Sequence, residues 1–224
     1  MKKIFTISII VVVVLIGAIY LFKLSPQQQA EQSSVNGIFN QTKTGELKTP
    51  TLVVADDHIL GNPNAKNTMV IYEDIQCPAC AAFEPVLKEI PKQLNDTKVV
   101  FRHFPLLGLH KNSGYAALAV EAASAQGKFW EFTFNLYENQ NLWSDLENPV
   151  DQFGYLAAKS GVANIDQFKN DVINHKYKDR VQTNLTEAIN LGVDATPTLY
   201  FNDNKLQIGG IEEIKKQVQG MYIK

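Results

Sequence analysis

The stretch Thr68-Met69-Val70-Ile71-Tyr72-Glu73-Asp74-Ile75-Gln76-Cys77-Pro78-Ala79-Cys80-Ala81-Ala82-Phe83-Glu84-Pro85-Val86-Leu87 holds both cysteines of the 224-residue chain. Its opening residues are rich in β-branched and aromatic side chains and suit a buried strand. From Pro78 onward the chain opens a helix, because proline in the first turn gives up an amide that would have no partner there. Cys77 then falls at or near the N-cap, where unpaired amides and the positive end of the helix dipole favour a thiolate. Cys80, three residues on, lies on nearly the same helical face and is placed to close a short disulfide. A strand, a C-x-x-C and a helix, in that order, form the context in which the motif reads as redox chemistry.

Other readings of the pair are weaker. A structural disulfide across two residues closes a loop too small to restrain the unfolded chain much. A zinc site needs four ligands, and His58, His103, His110 and His175 are scattered rather than paired at zinc spacing. No metal or other cofactor is therefore expected. Two inert thiols would sit badly at a helix N-terminus. His103 reads as a strand residue with a satisfied ring. Phe129-Trp130, Phe132 and Phe134 read as helical core.

Outward from this stretch, Met1-Lys2-Lys3 precedes an uncharged run from Ile4 to Phe22. At about 1.5 Å per residue the run is roughly 28 Å long, the thickness of a bilayer core. It is longer than the apolar region of a cleaved signal and has no A-x-A site after it, so a retained anchor is expected in preference to a cleaved signal. The lysine pair holds the N-terminus inside and sends the remaining chain out of the cytoplasm. Ser25 to about Pro50 is Gln/Ser/Thr/Asn-rich and reads as a flexible tether. Gly61 to Lys224 is long enough for one domain with a sizeable core. A formal net charge of −2 and the absence of a basic cluster exclude nucleic acid as a natural partner.

Within that domain a short strand is expected at Leu52-Val53-Val54-Ala55 and a longer one at Asn67–Tyr72. A helix from Pro78 to about Leu94 follows, with Pro85 and Pro91 expected to bend it or end it early. Lys98–Phe104 is the next strand, parallel to the first through a right-handed crossover. Helical patterns then run over Ser113–Gln126, Lys128–Asn139, Val150–Ser160 and one long segment, Ile165–Leu191. Thr198–Phe201 and Lys205–Ile208 form a hairpin about Asn202-Asp203-Asn204, and Ile211 to about Tyr222 closes the chain as an amphipathic helix.

This order, with C-x-x-C on the first helix, resembles the thioredoxin fold with an inserted helical domain, the arrangement of DsbA-like thiol:disulfide oxidoreductases. The resemblance covers most of Gly61–Lys224. It is carried by Leu60-Gly61-Asn62-Pro63-Asn64-Ala65, by Asp74-Ile75-Gln76-Cys77-Pro78-Ala79-Cys80, by Phe101-Arg102-His103-Phe104-Pro105-Leu106 and by Gly192-Val193-Asp194-Ala195-Thr196-Pro197-Thr198. It implies an α/β fold class and three segments: a membrane anchor or signal over 1–24, a polar linker over 25–50, and a DsbA-like domain over 51–224 with its insertion at about 108–191.

The resemblance also assigns roles. Cys77 is implied as the exposed nucleophile, Cys80 as the buried resolving cysteine, and Pro78 and Ala79 as the dipeptide that tunes them. Pro197 is implied as the cis-proline beside the disulfide, with the Thr196 backbone pairing with an extended substrate. Wider superfamily members carry a buried acid six residues before the first cysteine. Here that position is Ile71, with Glu73 and Asp74 nearby but not on it. The implied activity is disulfide introduction into reduced or unfolded secreted or cell-surface proteins, outside the cytoplasm and anchored to the cell membrane. Reoxidation would come from a quinone-linked thiol oxidase in the membrane. A reductase or isomerase on the same scaffold, and a non-catalytic peptide-binding chaperone, are the alternatives.

Overall fold

The strand that leads into the cysteines is the middle of a five-stranded sheet. The structure, a computed structural model, describes residues 35–51 and 53–222. The strands are β1 (His58–Leu60), β2 (Asn67–Glu73), β3 (Thr97–His103), β4 (Thr198–Phe201) and β5 (Asn204–Leu206), in the order β1-β3-β2-β4-β5. β2 and β3 are parallel, with Ile71 opposite Phe101, while β4 runs antiparallel to β2, with Leu199 opposite Ile71. Because β2 is covered on both faces, it is apolar almost throughout rather than alternating. Met69 and Ile71 face one core, and Val70 and Tyr72 the other.

Helix α1 (Pro78–Gln93) covers the first face through Cys80, Phe83, Leu87 and Ile90, a continuous stripe at three- and four-residue spacing. It runs unbroken through Pro85 and Pro91, contrary to the expectation that they would end it early. Pro85 is exposed and Pro91 half-buried, so neither ring interrupts the stripe that packs on the sheet. Burial of the opposite stripe outweighs a proline cost of about 3 kcal/mol each.

The edge strand is also displaced from its expected place. Residues 53–55 are loop, and β1 forms three residues later, antiparallel to β3. Val54 stays exposed, whereas His58 lays its ring flat on Phe129 with centroids 3.5 Å apart.

The insertion comprises α2 (Ser113–Ser124), α3 (Phe129–Glu138), a single 3₁₀ turn (Gln140–Leu142), α4 (Val150–Lys159), α5 (Ile165–Ile173) and α6 (Lys178–Asn190). Its core is Phe132, Trp143, Phe153 and Phe168, continuous with the core beneath α1. The single long helix expected over Ile165–Leu191 is in fact α5 and α6. The break falls where Asn174 caps α5 and His175 takes a left-handed φ of 52°. α6 closes on Gly192 at φ 72°, with Gly192 and Val193 amides bonded back to Ile189 and Ala188 carbonyls, a Schellman end that releases the chain towards Thr196. Asn202 and Asp203, both at positive φ, make the tight β4–β5 turn, and α7 (Ile211–Tyr222) packs Ile214 and Val218 onto the first core.

Residues 35–51, read from composition as part of a free tether, lie along the second face instead. Val35 and Phe39 are buried there with Leu185 and Ala188 of α6. The amides of Thr44 and Gly45 bond Asn190 Oδ1 at 3.0 Å, and that of Thr51 bonds Glu187 at 2.9 Å. The expected membrane span, Ile4–Phe22, lies outside the described residues. Among the described residues no helix is long and apolar enough to cross a membrane.

Candidate functional site

β2 ends at Glu73, and the chain turns through Asp74-Ile75-Gln76 into α1. Cys77 is the N-cap residue, with extended backbone and an amide held 3.0 Å from the Asp74 carbonyl. No side chain caps the helix, so its first amides are left for the Cys77 sulfur. Both cysteines are free thiols, Cys80 fully buried and Cys77 7% exposed.

Their acidities are driven apart. Cys77 falls to about 5, chiefly because Cys80 donates a hydrogen bond to it; the Thr196 side chain and the amides of Cys80 and Ala79 add to this, against the cost of burial. Cys80 moves well above the ordinary thiol value, first because it is buried and then because it is the donor in that bond and lies near Glu73. The arrangement is a nucleophilic thiolate resting on a protonated partner.

Thr196 stands against the same sulfur. The Thr196–Pro197 bond is cis, and Cys77 Sγ lies 3.5 Å from the Thr196 carbonyl oxygen. Ala79 and Pro78 are exposed at the helix entrance. The residues singled out from the sequence thus converge from two regions 119 positions apart.

Five further residues complete the site. Strand alternation puts Glu73 on the same face as Ile71, two positions closer to the cysteines, so a carboxyl does lie under the motif. Burial raises it to about 8, with Tyr137 Oη donating to Oε2 at 2.9 Å and Oε1 left without a partner. Asp74 accepts the Gln76 amide at 2.8 Å and the Leu106 amide at 2.9 Å, and His110 Nδ1 lies 2.7 Å from its Oδ2. Gln140, from the insertion, donates to the carbonyls of Ile75 at 2.8 Å and Cys77 at 3.1 Å. These contacts lock the insertion onto the loop that aims Cys77. Sequence periodicity could have found the face of Glu73; nothing local marks His110, Tyr137 or Gln140.

His58, His103 and Glu121 bring three donor atoms within 4.8 Å of one another. Both imidazole Nε2 atoms meet the same oxygen, Glu121 Oε1, at 2.7 and 2.8 Å, and Arg180 Nε donates to it at 3.0 Å. A carboxylate already neutralised by a guanidinium is a structural knot between β1, β3 and α2, with His103 held neutral by its burial.

A family model described as Thioredoxin matches residues 53–220. The chain is 36% identical over 154 residues to a Na(+)/H(+) antiporter NhaA 1 from Mycolicibacterium gilvum, a match covering 66% of this chain and 24% of that protein. It therefore spans about a quarter of the length of the antiporters it resembles. It is 30% identical over 154 residues to a probable disulfide bond formation protein D from Bacillus cereus, covering 65% of this chain and 69% of that one. Among solved structures, oxidised BdbD from Bacillus subtilis superposes with a TM-score of 0.67 at 25% identity, covering 83% of this chain and all (100%) of that one. Alpha-DsbA1 from Wolbachia pipientis shares the fold with a TM-score of 0.63 at 23% identity, over 76% of this chain and 93% of that one.

Proposed function

The chain belongs to the thioredoxin family as a DsbA-like thiol:disulfide oxidoreductase, and on that premise we propose that it works as an oxidase, introducing disulfides into reduced or unfolded secreted and cell-surface proteins. The observation that carries the direction is the split between the two thiols, Cys77 at about 5 and Cys80 well above the ordinary value. Stabilising the Cys77 thiolate stabilises the reduced enzyme, and an enzyme whose reduced form is favoured draws electrons from its substrates.

In the proposed cycle a substrate thiolate attacks Cys77 Sγ of the enzyme disulfide, and Cys80 leaves. Glu73, mostly protonated at pH 7, is placed to hand Cys80 its proton. A second substrate thiolate then attacks the substrate sulfur of the mixed disulfide, and Cys77 departs as a thiolate. Two electrons pass to the enzyme, and the substrate keeps the new bond. The Thr196 backbone offers an extended chain a hydrogen-bonding edge beside Cys77. Leu109 and Leu142, exposed next to the site-forming residues His110 and Gln140, give it an apolar border.

The uncharged run at Ile4–Phe22 supports a single-pass anchor, with the redox domain outside the cytoplasm and a quinone-linked membrane thiol oxidase as the electron acceptor. The test is the reduction potential, from equilibration with glutathione. An oxidase is expected at or above roughly −200 mV; a value near −270 mV would mark a reductant and reverse the direction.

A further inference from the structure

Two glutamines cross between the motif and the insertion. Gln140, in the 3₁₀ turn, donates from its amide nitrogen to the carbonyls of Ile75 at 2.8 Å and Cys77 at 3.1 Å, the residues on either side of Gln76. Gln76 reaches the other way. Its Nε2 donates to the Ser144 carbonyl at 2.9 Å, and its Oε1 accepts the Asn112 amide at 2.7 Å. Asn112 is fully buried at the start of α2, yet its side chain does not cap that helix. Its Nδ2 lies instead 3.1, 3.1 and 2.9 Å from the carbonyls of Trp143, Ser144 and Leu146. From Gln140 to Asn148 only Trp143 is buried, so polar contacts more than packing hold this segment beside the motif.

We propose that Gln140 is a positioning residue for the thiol exchange, gripping the backbone on both sides of Gln76 so that the Cys77 sulfur stays aimed, with Gln76 and Asn112 as the brace that keeps Gln140 in place. The inference rests on the redox reading of Cys77 and Cys80. The Cys77 backbone has a partner at each end: the Asp74 carbonyl holds its amide at 3.0 Å, and Gln140 holds its carbonyl. Between those two holds the sulfur stands 3.5 Å from the Thr196 carbonyl oxygen. Apolar burial has no direction and does not orient a peptide plane, whereas a hydrogen bond from a planar amide does. Without Gln140 the Cys77 carbonyl keeps only the Ala81 amide at 3.2 Å, the first bond of α1, and the Ile75 carbonyl loses this donor. The loop is then free to turn about Gln76, and the sulfur turns with it. Gln140 touches no reacting atom; it acts through the backbone of Cys77.

The experiment uses the full-length protein in its disulfide form and glutathione, a thiol too small to need the apolar border of the site. The glutathione thiolate attacks Cys77 Sγ. A new S–S bond forms, the Cys77–Cys80 bond breaks, and Cys80 leaves with the electron pair and takes a proton from the medium. Wild type is compared with Gln140→Met, which keeps the side-chain length and removes the donors. Gln140→Asn, polar but one methylene too short to reach both carbonyls, carries the test where the Met variant does not fold. Each is expected to slow the attack about tenfold, since a misplacement of about 1 Å costs up to about a hundredfold. Gln76→Met should slow it too. The double variant, Gln76→Met with Gln140→Met, should stay within about twofold of the slower single, because both removals free the same backbone.

The denaturant midpoint of each variant is measured alongside. A lowered midpoint with the attack still within about twofold of wild type overturns the proposal and leaves Gln140 as a loop staple. Single effects that multiply in the double variant overturn the shared brace. A wild-type disulfide that does not react with glutathione sinks the redox reading as well; a reacting wild type with unchanged Gln140 variants sinks this inference alone.

Discussion

A carboxyl buried under a sheet with one oxygen unpaired is costly to ionise, and Glu73 meets that cost by keeping its proton up to about pH 8. Its folded value lies above the unperturbed one of 4.5, so the folded state binds this proton more tightly than the unfolded chain. Stability from this group is fully present below about pH 4.5 and is lost as pH rises towards 8, by at most about 5 kcal/mol. Glu73→Gln keeps an acceptor for Tyr137 and removes the titration. The variant is expected to gain on wild type in denaturant unfolding as pH rises from 5 to 8; a difference constant across that range would show that Glu73 is not buried as a neutral acid. The contiguous part of the site was legible in the sequence, because Cys77, Pro78, Ala79 and Cys80 sit together and Thr196-Pro197 precedes a strand. The rest was not. Tyr137 reaches Glu73 across 64 positions and Gln140 reaches Ile75 across 65, so those pairings exist only once the insertion has folded over the motif.

At the level of elements, patterns of burial decided more than punctuation did. The stripe Cys80-Phe83-Leu87-Ile90 carries α1 through two prolines, whereas α5 and α6 separate at Asn174-His175-Lys176-Tyr177 with neither proline nor glycine to announce it. There the chain is stopped by packing: Tyr177 and Lys176 both turn back onto Asp171, at 3.1 and 3.0 Å. The hairpin, by contrast, was legible from its turn residues, since Asn and Asp tolerate the two left-handed positions that a two-residue loop demands. Pro85 gives a direct test of what burial outweighs. It is exposed, and an alanine there restores one backbone hydrogen bond and removes a ring clash. Against that gain stands the extra freedom of the unfolded chain, about 0.4–1 kcal/mol. Pro85→Ala is therefore expected to stabilise the protein by about 1–2 kcal/mol, read as a higher denaturant midpoint. A lower midpoint would mean that α1 uses the proline to fit the sheet.

For the whole molecule, the low pKa of Cys77 is a product of folding, because its sources come from separate parts of the chain: the α1 entrance, Cys80 and Thr196. Unfolding scatters them, and the thiol returns to its ordinary value near 9. A group depressed by folding contributes stability that is complete above its unfolded value and is lost as pH falls through its folded value. For the reduced protein that window runs from about pH 9 down to about pH 5. Cys80, raised rather than lowered, stays protonated throughout it. The oxidised protein has no thiolate to stabilise, and its disulfide closes so short a loop that it restrains the unfolded chain little. The reduced form should therefore be the more stable one at pH 7, by at most about 2 kcal/mol once solvent screening at the helix entrance is allowed for. The gap should widen towards pH 8 and close towards pH 5. Unfolding both redox forms in denaturant at those three pH values measures it. An oxidised form equal to or more stable than the reduced form at pH 8 would remove the thiolate as the source of oxidising power, and the electron flow proposed here would run the other way.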